Sequence, residues 1–147
     1  MQLISDYMIK HHKECDATLT RAGEAAAASD WAALQREAGA FLREIERHIS
    51  IEDTLLFPAF EERTGMGEGG PTATMRTEHE QMHAMFAQMR AAIDAQDAKQ
   101  YLGVSETLLT LLQMHNAKEE EMMYPMLDQT LGDDARDLLT QLESITA

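Results

Sequence analysis

Five of the six histidines in this 147-residue chain stand at spacings that suit metal ligation. His79 and His83 are four apart, which sets both imidazoles on one side of a helix, a turn from each other. His48 with Glu52, and His115 with Glu119, repeat the four-residue step with a carboxylate in place of the second imidazole. The remaining donor, His12, comes earlier and has His11 beside it. Apolar neighbours mark an inward face around these groups: Ile45 before His48, Leu112 before His115, Leu55 and Leu56 after Glu52, Met122 and Met123 after Glu119. A carboxylate buried there alone costs several kcal/mol or takes up a proton. A bound cation removes that cost, so His12, His48, Glu52, His79, His83, His115 and Glu119 are the expected metal ligands.

Seven donors are too many for one ion. Imidazole with carboxylate suits iron, and a single cysteine supplies no cluster for structural zinc. Five imidazoles, two bridging carboxylates and an oxo or hydroxo bridge fill all but one of the positions on two six-coordinate iron ions. His79, His83 and His115 saturate one ion, which leaves the opening beside His12 and His48. Dioxygen, nitric oxide or peroxide is the expected occupant of such an opening.

Positioning these donors requires elements that repeat. Shifting the chain by 67 residues lays Met8 on Met75, His12 on His79, His48 on His115, Glu52 on Glu119, Pro58 on Pro125 and Gly65 on Gly132. That match selects His12 over His11 as the donor and leaves His11 as an exposed helix residue. Each copy reads as an αα-hairpin. Apolar residues at helical spacing run through Ile4, Met8, Cys15 and Leu19, and again through Leu34, Phe41, Leu42 and Ile45. Asp30 and Asp97 are the expected caps at the turns, and Pro58 and Pro125 are expected to kink the second helix of each hairpin. Residues 64–71, rich in glycine, link the two hairpins, and the stretch from Asp134 to Ile145 forms a short closing helix. The fold class is therefore all-α: an antiparallel up-down-up-down four-helix bundle in one domain spanning residues 1–147.

A lone His, His-x3-Glu, His-x3-His and His-x3-Glu on four successive helices resembles the hemerythrin/HHE cation-binding family. The LLFP and MMYP segments after each carboxylate belong to the resemblance, which reaches to about Gly132. It implies a di-iron centre with Glu52 and Glu119 as bridges, and reversible dioxygen binding as the reference activity. One departure is visible: animal oxygen carriers place an Asp five residues after the last His, whereas here the repeat selects Glu119, four after His115. Glu120 holds the other spacing and is a rival ligand. The Glu form is common among bacterial hemerythrin-like proteins of varied role, which points away from bulk oxygen carriage. The expected function is dioxygen binding for storage, delivery or sensing. The alternatives are a redox enzyme acting on peroxide or nitric oxide, or an iron-donating repair protein; these 147 residues hold one cysteine, so the cysteine-bearing extra domain of the repair type is not expected.

The balance of 12 basic to 26 acidic residues gives a formal charge of −14, which repels phosphate backbones and anionic lipid. Nucleic acid and membranes are excluded as expected partners. With one cysteine and neither a signal segment nor a membrane-spanning run, the cytoplasm is the expected location. Cys15 reads as a small core residue. Asp16, aligned by the repeat with His83, is a candidate acceptor for His12, an occasional ligand or a polar edge residue. Tyr124, aligned with Phe57, reads first as a packed aromatic and second as a hydrogen-bond donor near the metals.

Overall fold

Paired local signals start and stop the helices. The Asp30 carboxylate accepts a hydrogen bond from the Ala33 amide at 3.2 Å, and Asp97 accepts one from the Gln100 amide at 3.0 Å. Each cap occupies an amide that the first helical turn cannot satisfy internally. The residue before each cap turns the chain through positive φ, 56° at Ser29 and 51° at Gln96. Gly65 and Gly132 end the following helical stretches, also at positive φ (70° and 44°), where a side chain would be strained. All three pairs are 67 residues apart in number, and the repeat extends to backbone conformation at the two Asp-capped turns, whereas Gly65 is left-handed helical (ψ 11°) and Gly132 is not (ψ −113°).

The computed structural model describes residues 3–146. It contains α1 (Ile4–Ala27), α2 (Trp31–Ile51), α3 (Phe57–Thr64), α4 (Pro71–Asp94), α5 (Ala98–Lys118), α6 (Tyr124–Leu131) and α7 (Ala135–Thr146). No strand occurs among the described residues. Helix α1 packs along α2, α4 along α5, α1 against α5 and α6, α2 against α4, and α3 against α6. This closes the four-helix bundle expected from the repeat, with the α2–α3 and α5–α6 stretches each acting as one long helix. The segment 65–70 joins the hairpins, and α7 buries Leu138, Leu139 and Leu142 against the end of the bundle.

Before Pro58 and Pro125, where a kink is expected, the helix opens into a π-turn, Glu52–Leu56 and Glu119–Met123. Proline has no amide to donate and its ring crowds the carbonyl four residues back. Widening one turn relieves that crowding: the Phe57 amide bonds to the Glu52 carbonyl and the Tyr124 amide to the Glu119 carbonyl. Each π-turn begins at a carboxylate expected to be a ligand.

Two apolar cores fill the bundle. Leu19, Leu34, Phe41, Ile45, Met82, Phe86 and Leu112 belong to one, and Met8, Leu56, Phe57, Met75, Met123 and Leu127 to the other. Burying each such side chain contributes roughly 1.5–3 kcal/mol. Along every long helix the expected imidazole falls where one core gives way to the other: His12 between Met8 and Leu19, His79 between Met75 and Met82, His115 between Leu112 and Met123.

Candidate metal centre

Six of the seven expected donors meet in that polar layer. His12, His48, His79 and His115 are 1–2% exposed, and Glu52 and Glu119 are 0% exposed. Glu52 spans the layer, with Oε2 3.3 Å from His48 Nε2 and Oε1 3.1 Å from His79 Nε2. Glu119 answers it from the opposite side. Its Oε1 lies 3.1 Å from His12 Nε2 and 3.2 Å from His115 Nε2, and its Oε2 lies 4.0 Å from His79 Nε2. The donors fall into two overlapping groups, His12–His48–Glu52–Glu119 and Glu52–His79–His115–Glu119, each with ligand atoms within 4.8 Å of one another. Both carboxylates belong to both groups.

His83 is not brought into either group by the structure. It is exposed, its ring edge-on to Phe86 at 5.6 Å. Met75, His79, Met82, Phe86 and Met89 form the buried line of α4. At 3.6 residues per turn His83 points about 80° from the middle of that line, and Met82 takes the inward place. Asp16, its counterpart on α1, is likewise exposed, while Cys15 is buried as Met82 is.

Outside the layer, a carboxylate backs three of the four imidazoles. Nδ1 of His12 lies 2.8 Å from Glu120 Oε2, Nδ1 of His79 2.8 Å from Asp53 Oδ1, and Nδ1 of His115 2.7 Å from Glu78 Oε1. An imidazole that donates Nδ1–H outward turns the lone pair of Nε2 inward, the arrangement typical of ligating histidines. Lys118 Nζ sits 2.5 Å from Glu78 Oε2, and Arg76 donates to the Asp53 carbonyl at 3.0 Å. Glu120 thus supports His12 from outside, a place for which Asp16 was one candidate, and exposed Asp16 is instead the polar edge residue. Asp53 and Glu78 escaped the reading of residue spacing, although the repeat held a clue: Asp53 and Glu120 each directly follow a central carboxylate.

Tyr124 is more than a packed aromatic. Its hydroxyl donates to Glu52 Oε2 at 2.5 Å and lies 3.1 Å from Glu119 Oε1, 3.0 Å from His12 Nε2 and 3.1 Å from His48 Nε2. The π-turn explains its reach. In an α-helix a residue five positions on points about 140° away, whereas the wider turn returns Tyr124 to the face of Glu119. At the matching position Phe57 stacks on His79 with centroids 5.9 Å apart.

The electrostatics follow from burial opposed by charge pairing. Burial alone lowers the pKa of His12, but Glu119, Glu120 and Glu52 outweigh it and raise it to about 9. Burial likewise opposes, and Asp53 and Glu52 overcome, a rise at His79 to about 10. His115 is raised against burial by Glu119, Glu52 and Glu78. Glu52 is held well below the carboxylate range because His48 and His79 outweigh its desolvation. Burial and the two carboxylates keep the Tyr124 phenol protonated. Burial also pushes the Cys15 thiol to about 12, which makes it inert core.

A metal fits these groups. Among the described residues, Glu52 Oε1, Glu119 Oε2 and His79 Nε2 are buried without an aligned hydrogen-bond partner, although the contact between Glu52 and His79 is close. Carboxylate oxygens and imidazole nitrogens facing one another in a buried layer form a mixed N/O donor set that suits iron.

The family profile of the hemerythrin HHE cation binding domain matches residues 3–127. An uncharacterized hemerythrin-like protein of Schizosaccharomyces pombe is 26% identical over 136 residues, 91% of this chain and 64% of that protein. The chain therefore spans under two thirds of the length of that curated relative. No solved structure matches the chain significantly. On the matched profile and the buried His/Glu layer together, the chain belongs to the hemerythrin HHE cation-binding family.

Proposed function

We propose that this chain holds two iron ions and binds dioxygen at them, for storage, delivery or sensing. The observation that carries the reading is the pair of four-donor groups sharing Glu52 and Glu119. His12 and His48 would hold one ion and His79 and His115 the other, with Glu52 and Glu119 within reach of both. Two iron ions, when bound, supply a redox pair able to take up a small diatomic ligand or peroxide. The chain's own work is to orient the imidazoles through Glu120, Asp53 and Glu78, to exclude bulk water with the apolar cores, and to hold a proton on the Tyr124 hydroxyl.

That hydroxyl favours a second reading, a redox enzyme reducing peroxide or nitric oxide, because a buried proton donor beside the carboxylates suits turnover as well as binding. The two readings part in one experiment. The chain is loaded with ferrous iron without oxygen, exposed to air and then degassed while its absorption spectrum is followed. Spectral changes that reverse on degassing support dioxygen binding; irreversible oxidation with catalytic loss of added peroxide supports the enzyme. Protein that takes up zinc but no iron contradicts both.

A further inference from the structure

Three imidazoles of the layer have a protein carboxylate at Nδ1; the fourth does not. His48 is 2% exposed and its Nδ1 has no hydrogen-bond partner among the described residues. Its Nε2 is turned toward Glu52 and the Tyr124 hydroxyl, so Nδ1 points out of the layer. The repeat shows what is missing. Glu78, which accepts from His115, is matched 67 residues earlier by His11, whose ring centroid lies 5.9 Å from that of His48. An imidazole replaces the anion at this position.

The same position opens onto a cavity of about 420 Å³ between α1 and α2, lined by His48 and His11 together with Lys10, Arg47, Glu14 and Glu44 among others. Neither Lys10 nor Arg47 forms an ion pair among the described residues. The wall therefore offers two cations and two carboxylates, with the buried His48 ring among its lining and its Nδ1 covered rather than open to the cavity. A nearly balanced wall disfavours a dianion and tolerates a single negative charge. A carboxylate is the acceptor that the other three imidazoles already use.

We infer that this cavity binds a small monocarboxylate, whose oxygen, entering as the neighbouring His11 ring turns aside, accepts the hydrogen bond from His48 Nδ1–H that Glu78 accepts from His115. The inference rests on the proposed reading of His48 as a ligand through Nε2, which leaves the proton on Nδ1. Lys10 and Arg47 hold the charge of the incoming anion, and its presence sets the donor strength of His48. The supply of small carboxylates in the medium thereby tunes one half of the centre.

Acetate is a suitable probe. Sodium acetate is titrated calorimetrically into the iron-loaded protein, replacing sodium chloride at constant ionic strength, with metal content measured on the same sample. Saturable binding with a dissociation constant of about millimolar or tighter is expected. His11→Glu restores the carboxylate of the second hairpin from within the chain and is expected to abolish binding. Lys10→Gln and Arg47→Gln each weaken it about tenfold while leaving iron content unchanged, and they keep the test decisive if His11→Glu fails to fold. A sample that carries two ions but gives no saturable signal beyond chloride overturns the inference alone. Acetate binding undiminished in all three variants overturns it too. A sample that takes up no iron sinks the metal reading instead.

Discussion

At the scale of residues, the centre depends on the groups behind the imidazoles as much as on the imidazoles. Asp53, Glu78 and Glu120 each meet an Nδ1 at 2.7–2.8 Å. Asp53→Asn or Glu78→Gln removes the negative charge that aligns the ring and strengthens its other nitrogen as a donor. Each is expected to weaken metal binding about 10- to 100-fold, measured by competition with a chelator. His83→Ala, at an exposed position, is expected to cost less than His79→Ala in the same assay. The metal-free protein also has a characteristic pH profile. His12 and His79 titrate at about 9 and about 10 in the folded chain, above the ordinary 6.5. Their contribution to stability is fully present below pH 6.5 and is lost as the pH rises through 9 and 10. Glu52 acts oppositely: its lowered carboxyl stabilises above the ordinary 4.5, and that contribution is lost on acidification. Thermal melts of chelated protein are therefore expected to peak between these limits and to decline into alkali. Metal-loaded protein lacks the alkaline decline, because cations stand where the protons stood. A flat alkaline limb in the chelated protein contradicts this account of the layer.

At the scale of elements, the helices were legible from the sequence and their irregular turns were not. Asp30 and Asp97 announce caps because short acidic side chains after a helical run compete for free amides, and both were found accepting from the residue three positions on. Alanine at either position is expected to cost about 1 kcal/mol, and by similar amounts, since the two turns are conformational copies; chemical denaturation of each variant measures this. Proline at 58 and 125 signalled a kink and did not foretell a π-turn. A kink and a π-turn both relieve a missing amide, and the choice depends on what the next turn must pack against. Here the π-turn brings Tyr124 back over Glu119 and sets Phe57 on His79. A residue five positions from a ligand has no reason to be paired with it on an α-helical template, so packing outranked a hydrogen bond to the centre in the sequence reading of Tyr124.

At the scale of the whole molecule, the bundle and the height of the polar layer were readable because the repeat constrains both hairpins alike. What stayed hidden depended on side-chain direction within a helix face. His83 shares the favoured four-residue spacing with His79 but lies on the shoulder of α4, where Met82 faces the core in its place. Asp53 and Glu78 sit beside ligands, where charged residues ordinarily belong to the solvated surface. The cavity at His48 was invisible for a related reason: His11 looked like a surplus copy of His12 until its counterpart Glu78 was found at work on His115. Two apolar cores flank the layer on either side, so six polar groups in its middle are a cost to folding unless they pair or hold a cation.

Metal analysis of the purified, ferrous-loaded chain tests the central claim most directly, with Glu52→Ala beside the parent. A centre built on two shared carboxylates requires two ions per chain in the parent and a clear fall when Glu52 is removed. One ion or none in the parent, or two that persist in Glu52→Ala, contradicts it.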